Sequence, residues 1–358
     1  MNYAEVRDQL LDGYQPEGTI SLAFAGCHIQ VSSNARTLLD ELGNYFGGYL
    51  ATDDQPSIIL ELNEASPAEP TLPLSHWPRP KESRPKEAYA DLEDARLIQK
   101  TRTGLLFLQG LDRGVATGPL VSNVNQVINF INNQTISHWK RNGWEICHAA
   151  ALAGPRGLVA FAGLSGGGKS TLALHLMNAG PYKFVSNDRL LIRRVGNEVH
   201  AKGVAKMPRV NPGTLLNNPA LVDVLPDQRR RALATLSEDE LWALEEKYDA
   251  PMAEIFGGHR IQDEGVLNAL VILTWNRGLQ TVPEMRQCSV QNSAEVLHPI
   301  MKGPGPFHAD AAGNFLAADA AVTSEPYAQT LAETAVYDLH GGVDFSKAVQ
   351  LCRPLLDG

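Results

Sequence analysis

The sequence predicts an α/β fold in which a smaller α+β domain precedes a larger domain organised around a strand, a glycine-rich loop and a helix. Three observations carry this reading. At 358 residues the chain exceeds the usual reach of one hydrophobic core, which favours two domains. Segments of apolar period 2 and of period 3.6 alternate along it. A glycine-rich octapeptide at 163–170 stands between an apolar strand-like run and a helical run. The composition, 44% hydrophobic and 20% charged, is that of an ordinary soluble globular protein and argues against a disordered, fibrous or coiled-coil chain.

In the first half, 19–31 alternates apolar with small or polar residues and predicts a half-buried strand, and 35–45 has helical spacing. Residues 57–62 read as another strand. Six prolines within 66–85 exclude both a helix and a central strand, so this segment is expected to be an exposed loop. Basic residues across 79–102 are interleaved with acids, and read either as a solvated mixed-charge face or as a polyanion site. Strand-like runs at 95–100 and 104–109 close this part. Val124, Val127, Ile128, Ile131 and Trp139 then mark a helix over 121–140, ended by Gly143. The expected organisation is an N-terminal α+β domain 1–120 with the Pro-rich loop 66–85, a connecting helix 121–142, and a second domain 143–358.

The second domain opens with an apolar run at 146–152, a Gly-Pro turn at 154–157 and a strand at 158–162. Gly163-Leu164-Ser165-Gly166-Gly167-Gly168-Lys169-Ser170 follows, a full G-x-x-x-x-G-K-[ST] match, and Thr171 begins a stretch of helical composition. Glycines let successive backbone N–H groups turn inward around phosphate oxygens, and the helix N-terminus adds its positive dipole end. In that arrangement Gly163, Ser165, Gly166, Gly167, Gly168, Lys169, Ser170 and Thr171 bind a nucleotide, Lys169 neutralises β- and γ-phosphate charge, and the Ser170 hydroxyl coordinates Mg²⁺. Gly180-Pro181 ends the helix. A second strand at 184–188 makes a βαβ-like unit whose far end lies beside the loop, where Asp188 can hold Mg²⁺ or accept a proton; the plainer reading is a strand-end Asp capping a turn.

At these residues the sequence resembles the HPr kinase/phosphorylase family, and within it the branch of HPr-kinase-related kinase B. The features are the loop 163–170, Asn187-Asp188-Arg189 shortly after the helix, and His148, 15 residues before Gly163. The resemblance covers about 146–195. It implies a P-loop kinase core with a phosphoenolpyruvate carboxykinase-like mixed sheet, ATP and Mg²⁺ as cofactors, transfer of the γ-phosphoryl to a serine-type hydroxyl, and often a homo-oligomer. Two departures stand out. Asn187 replaces the first acid of the family's tandem pair, and the later E-x-R-G-x-G signature with its metal-binding Glu is missing. Near its place stands Lys206-Met207-Pro208-Arg209, where Arg209 is either a phosphate contact or part of a basic surface turn. His148 is either a core histidine or, by the spacing it shares with the family, a residue that orients Asp188 or the γ-phosphate. Asp263 or Glu264, before an apolar strand at 266–273, either replaces the missing metal ligand or is simply a polar residue ahead of a strand.

The remainder is less informative. The stretch 303–308 reads as a loop whose His308 and neighbouring Lys302 either border the acceptor site or form an ordinary turn. A helix is expected over 325–339 and a short terminal one over 345–351. A formal charge of −9, from 31 Lys and Arg against 40 Asp and Glu, disfavours nucleic acid as a partner. Four scattered cysteines without a C-x-x-C pair point away from a disulfide framework or a zinc site and toward a reducing cytoplasm. No run of 18 apolar residues occurs, so neither membrane spanning nor secretion is expected. The expectation is a cytoplasmic ATP- and Mg²⁺-dependent kinase with catalytic Asp188, His148, Lys169 and Arg209, metal ligands Ser170 and Asp188, and a protein serine or small metabolite as acceptor. The alternative is a nucleotide-sensing module that binds ATP without phosphoryl transfer.

Overall fold

The computed structural model describes all residues except 53, 54, 68, 79–84, 165, 238, 239, 242, 243, 245 and 290–293. Contacts divide the chain into two units, Met1–Trp144 with Gly303–Ala321, and Glu145–Lys302 with Val322–Gly358. The helix expected to connect the halves therefore belongs to the first unit, which a later segment of the chain rejoins.

The first unit contains α1 (Tyr3–Leu10), β1 (Gly18–Phe24), β2 (Cys27–Ser33), α2 (Arg36–Tyr45), β3 (Leu50–Ala51) and β4 (Ile58–Glu64). It continues with β5 (Ser75–His76), β6 (Glu87–Asp91), β7 (Arg96–Lys100), β8 (Leu106–Gln109), β9 (Arg113–Gly118) and α3 (Val124–Arg141). Residues 19–31 thus form a hairpin, not the single strand expected. Ala25 and Gly26 both take positive φ, 41° and 87°, and a two-residue loop of that kind reverses the chain while the apolar alternation continues through it. The proline-rich segment contributes, among its described residues, only the edge strand β5; 79–84 of the charged run lie outside the described residues.

All nine strands join one sheet in the order β3-β1-β2-β4-β9-β8-β7-β6-β5, parallel across β2, β4 and β9 and antiparallel elsewhere. Its two faces follow the period of 2. Leu97, Leu106, Leu108 and Val115 pack with Tyr3 and Val6 of α1. Phe107, between Leu106 and Leu108, meets Phe130 of α3 at 4.8 Å on the other face.

The second unit comprises β10 (Glu145–Cys147), β11 (Ala149–Gly154), β12 (Gly157–Gly163), α4 (Lys169–Ala179), β13 (Lys183–Ser186), β14 (Leu190–Val195) and β15 (Glu198–Gly203). After these come β16 (Arg209–Val210), β17 (Tyr248–Asp249), β18 (Glu264–Leu273), β19 (Glu284–Cys288), β20 (Ala335–His340) and the C-terminal helix Phe345–Leu356. Seven strands run β10-β14-β15-β18-β12-β11-β13, with β20 and β19 added beside β18. The central strand β18 is parallel to β12 on one edge. On the other, β15 takes 264–266 and β20 takes 269–273.

Being buried on both faces, the parallel pair β12 and the second half of β18 read as continuous apolar runs. Val159, Phe161, Val271 and Leu273 face α4 and the C-terminal helix, whereas Leu158, Ala160, Leu270 and Ile272 face the opposite cluster around Tyr327. Between the strands on either side of α4 lies β11, antiparallel to both β12 and β13, so those two point the same way. One expectation is corrected. The helix expected over 325–339 spans only Glu325–Thr330. Val336 and Leu339 instead enter the sheet as β20, because burial against β18 outweighs the helical spacing. The terminal helix extends to Leu356.

Candidate functional site

At the end of β12 the chain turns through the glycine loop into α4. Gly166 and Gly168 have φ of 78° and 86°, the left-handed region where a side chain is strained, so glycine is required at both. A Cβ on Gly168 would also come within 3.1 Å of the Phe345 ring and 3.2 Å of Trp275. Gly168 caps α4 without a side-chain hydrogen bond, which leaves the first-turn N–H groups for a ligand. The Trp275 indole N–H donates to the Gly167 carbonyl at 2.9 Å and pins the loop from beyond β18.

Lys169, only 7% exposed, donates to the carbonyls of Gly163 (2.8 Å) and Leu164 (3.1 Å). Burial pulls its ammonium down to about 8; Asp188 opposes this, while Lys302 and Lys247 add to it. The Thr171 hydroxyl meets that of Thr214 at 2.8 Å. Ser165 lies outside the described residues.

Because β13 is parallel in direction to β12, the turn after it emerges at the same end of the sheet as the glycine loop. The Ser186 hydroxyl donates to the Arg189 carbonyl at 2.7 Å and closes this turn around Asn187 and Asp188. His148 occupies the break between β10 and β11, and its N–H donates to Ile300 at 2.8 Å. Its Nε2 reaches Asp188 Oδ1 at 3.0 Å. The other oxygen, Oδ2, receives Lys302 Nζ at 3.4 Å. Tyr327 anchors that lysine's backbone: its hydroxyl accepts from the Lys302 N–H at 3.1 Å and donates to the Ile146 carbonyl at 2.7 Å. Burial alone would raise the Asp188 carboxyl, but the His148 hydrogen bond and the charges of Lys302, His148 and Arg189 outweigh it and hold the group well below the usual carboxylate range.

Both constellations border one cavity of about 890 Å³. Lys169, Arg189, Lys206, Arg209, Lys247 and Arg277 line it, and Asp188 is the single carboxylate among the described lining residues. Burial draws the Lys206 ammonium down to about 8, Arg189 and Arg209 add to that, and Asp188 and Asp249 oppose it. Arg209 leans on Asp249 at 3.4 Å and is 55% exposed in its side chain. Ser170 and Asp188 both face this space, an oxygen pair suited to a hard cation. Among the described residues no group of three His, Cys, Asp or Glu could hold a metal alone, so a cation here would draw its other ligands from bound phosphate and water.

Two sequence candidates fall elsewhere. His308 bonds Ser137 in the first unit at 3.0 Å, and Glu264 pairs with Lys202 at 3.1 Å. Sequence reasoning missed Trp275, Lys247, Arg277 and Phe345. Of these only Trp275 carried a signal, as a large aromatic just past the end of the central strand. Among the described residues no helix is long and apolar enough to cross a membrane.

No protein-family profile matches the sequence, and no curated protein sequence matches it. Among solved structures, the Hpr(Ser) kinase/phosphatase from Coxiella burnetii is similar at a TM-score of 0.32 and 12% sequence identity, over 59% of this chain and 95% of that one.

Proposed function

We propose that the second unit is a P-loop kinase core that transfers the γ-phosphoryl of ATP to a hydroxyl acceptor. One observation carries the reading: a glycine loop with a buried lysine and an uncapped helix N-terminus borders the same cavity as a carboxylate clamped by His148 and Lys302. The loop amides of 166–168 and the first turn of α4 bind the triphosphate oxygens. Lys169 then exchanges its two carbonyl partners for phosphate, a stronger charge-assisted bond. Ser170 and Asp188 are the residues that would hold Mg²⁺, which when bound neutralises phosphate charge.

Asp188 and His148 orient the acceptor hydroxyl. A carboxylate stabilised this strongly is a weak base, which is adequate where the transition state is loose and little charge builds on the attacking oxygen. Arg209 lines the cavity as a second, outer donor to the transferring group. We extend the proposal to a cytoplasmic homo-oligomer with the first unit governing acceptor choice.

Lys169→Ala should lower turnover roughly 10²- to 10³-fold, as expected for one preorganised charge, with the fold intact by circular dichroism. Unchanged turnover would refute the assignment. That Asp188 is the single carboxylate among the described lining residues, and is already engaged by two partners, favours one second reading, a nucleotide sensor without transfer. Labelled ATP incubated with cell extract separates them: label in protein or metabolite marks a kinase, and tight binding without transfer marks the sensor.

A further inference from the structure

Among the described residues, the glycine loop is tied by its own Lys169, by the Gly167 N–H, which donates to the Leu164 carbonyl at 2.9 Å, and by the Trp275 indole. A triphosphate treats these ties differently. Lys169 lines the cavity and exchanges its carbonyl partners for phosphate, so its bonds cannot fix the shape that the ligand meets. Trp275 is not among the described lining residues, and its bond to the Gly167 carbonyl reaches the loop from behind, where a ligand leaves it intact. That bond also sets a direction. A peptide unit is planar and carries its C=O and N–H on opposite sides. The Gly167 carbonyl shares its unit with the Gly168 N–H, so a carbonyl held behind the loop turns that N–H toward the cavity. Trp275 is itself held firmly. The Thr274 N–H donates to the Leu339 carbonyl at 2.9 Å and the Asn276 N–H to the Gly341 carbonyl at 2.8 Å, which fixes the chain on both sides of it. The residue is 9% exposed, and Phe345, the first residue of the C-terminal helix, meets its ring nearly perpendicularly at 5.1 Å. Phe345 in turn stacks on His175 of α4 at 5.4 Å.

We propose that Trp275 is a positioning residue that sets the glycine loop in its phosphate-binding shape before nucleotide arrives. The inference rests on the reading of this loop as a nucleotide site and adds to it a residue that acts through the loop alone. Without the indole N–H the peptide between Gly167 and Gly168 can rotate, and only a fraction of the molecules then present the Gly168 amide inward. Apparent affinity falls by that fraction. The loss appears in association, because a bound triphosphate holds the amides in place by itself. A merely structural Trp275 would lower stability and leave both rate constants of the folded protein unchanged.

Stopped-flow binding of ATP carrying a methylanthraniloyl group on its ribose, with magnesium, to the full chain tests this. Trp275→Phe keeps a ring against Phe345 and removes the donor. Its association rate should fall roughly tenfold, with the dissociation rate within about twofold of wild type. Inorganic tripolyphosphate, which has neither base nor ribose, should weaken as a competitor by the same factor. Where Trp275→Phe does not fold by circular dichroism, Phe345→Leu, which loosens the indole and leaves its N–H, should give a smaller drop in the same rate. An unchanged association rate in the folded variant, a loss carried mainly by dissociation, or tripolyphosphate competing as well as against wild type overturns this inference while the nucleotide reading stands. Absence of ATP and tripolyphosphate binding in wild type overturns both.

Discussion

Lys169 offers a test that needs no acceptor. Its ammonium lies at about 8 in the folded chain against an ordinary 10.5, and it is 7% exposed. At about 1.36 kcal/mol per pH unit, that gap is an electrostatic penalty of about 3 kcal/mol at neutral pH. Lys169→Met removes the penalty and also the two hydrogen bonds to Gly163 and Leu164, which offset it by about 1–2 kcal/mol. The variant should therefore be about 1–2 kcal/mol more stable at pH 7, a rise of roughly 2–8 °C in midpoint for a unit of this size. Between pH 8 and 10.5 the unfolded chain holds a proton at this lysine that the folded chain has lost, so wild-type stability gains with pH across that window. The advantage of Lys169→Met should shrink over it, vanish near about pH 9, where the remaining penalty equals the lost hydrogen bonds, and reverse toward its upper end. Denaturant titrations of both proteins at pH 7, 8, 9 and 10 measure this. A variant less stable than wild type at pH 7, or a difference that stays constant up to pH 10, would refute the reasoning. Triphosphate binding should restore the charge, so calorimetry at pH 9 in two buffers should show proton uptake in wild type and none in the variant.

Other residues give further expectations. Gly168→Ala combines a φ of 86° with a Cβ 3.1 Å from Phe345, so it should cost at least about 1–2 kcal/mol and weaken ATP binding, read by thermal melts and nucleotide titration. Arg260 donates to the carbonyls of Tyr182 (2.6 Å), Met177 (2.8 Å) and Gly180 (2.8 Å) around the end of α4. Arg260→Met should destabilise by about 2–3 kcal/mol in urea while leaving the KM for ATP unchanged. In the first unit, Arg96 is 1% exposed, donates to the carbonyls of Pro306 and Leu316, and lies over the Tyr89 and Phe315 rings. Arg96→Met should cost about 2–4 kcal/mol and open 303–321 to limited proteolysis, seen as a new cleavage between those residues.

What the sequence revealed depended on whether a local rule or the assembled sheet decided the outcome. The glycine loop was legible because its backbone demands it: positive φ at Gly166 and Gly168 excludes other residues, and Lys169 must follow at the start of the helix. The strand 158–162 and the helix after the loop were legible for the same local reason. The partners of β12 were not, since β11 inserts between β12 and β13 through a turn 154–157 that reads alike in several topologies. The run 325–339 failed more instructively. Tyr327 and Leu331 are one helical turn apart, and Val336 and Leu339 are also spaced as on a helix, yet the last two complete an edge of β18 that no local pattern announces.

The candidate site divides in the same way. Asp188 and His148 could be nominated by spacing, but Lys302, 114 residues beyond Asp188, reaches it because the His148 N–H bond to Ile300, the Cys147–Met301 bridge and Tyr327 hold its backbone beside 146–148. Lys206 and Arg209 looked equally like a surface turn. Both line the cavity that β16, β17 and the loop after β18 help to form, Lys206 half-buried and Arg209 exposed beside Asp249, a placement no local pattern announces. Net charge is blind to such placement: a chain at −9 overall can still present a cationic cavity, because electrostatic function is set by which charges share a low-dielectric volume.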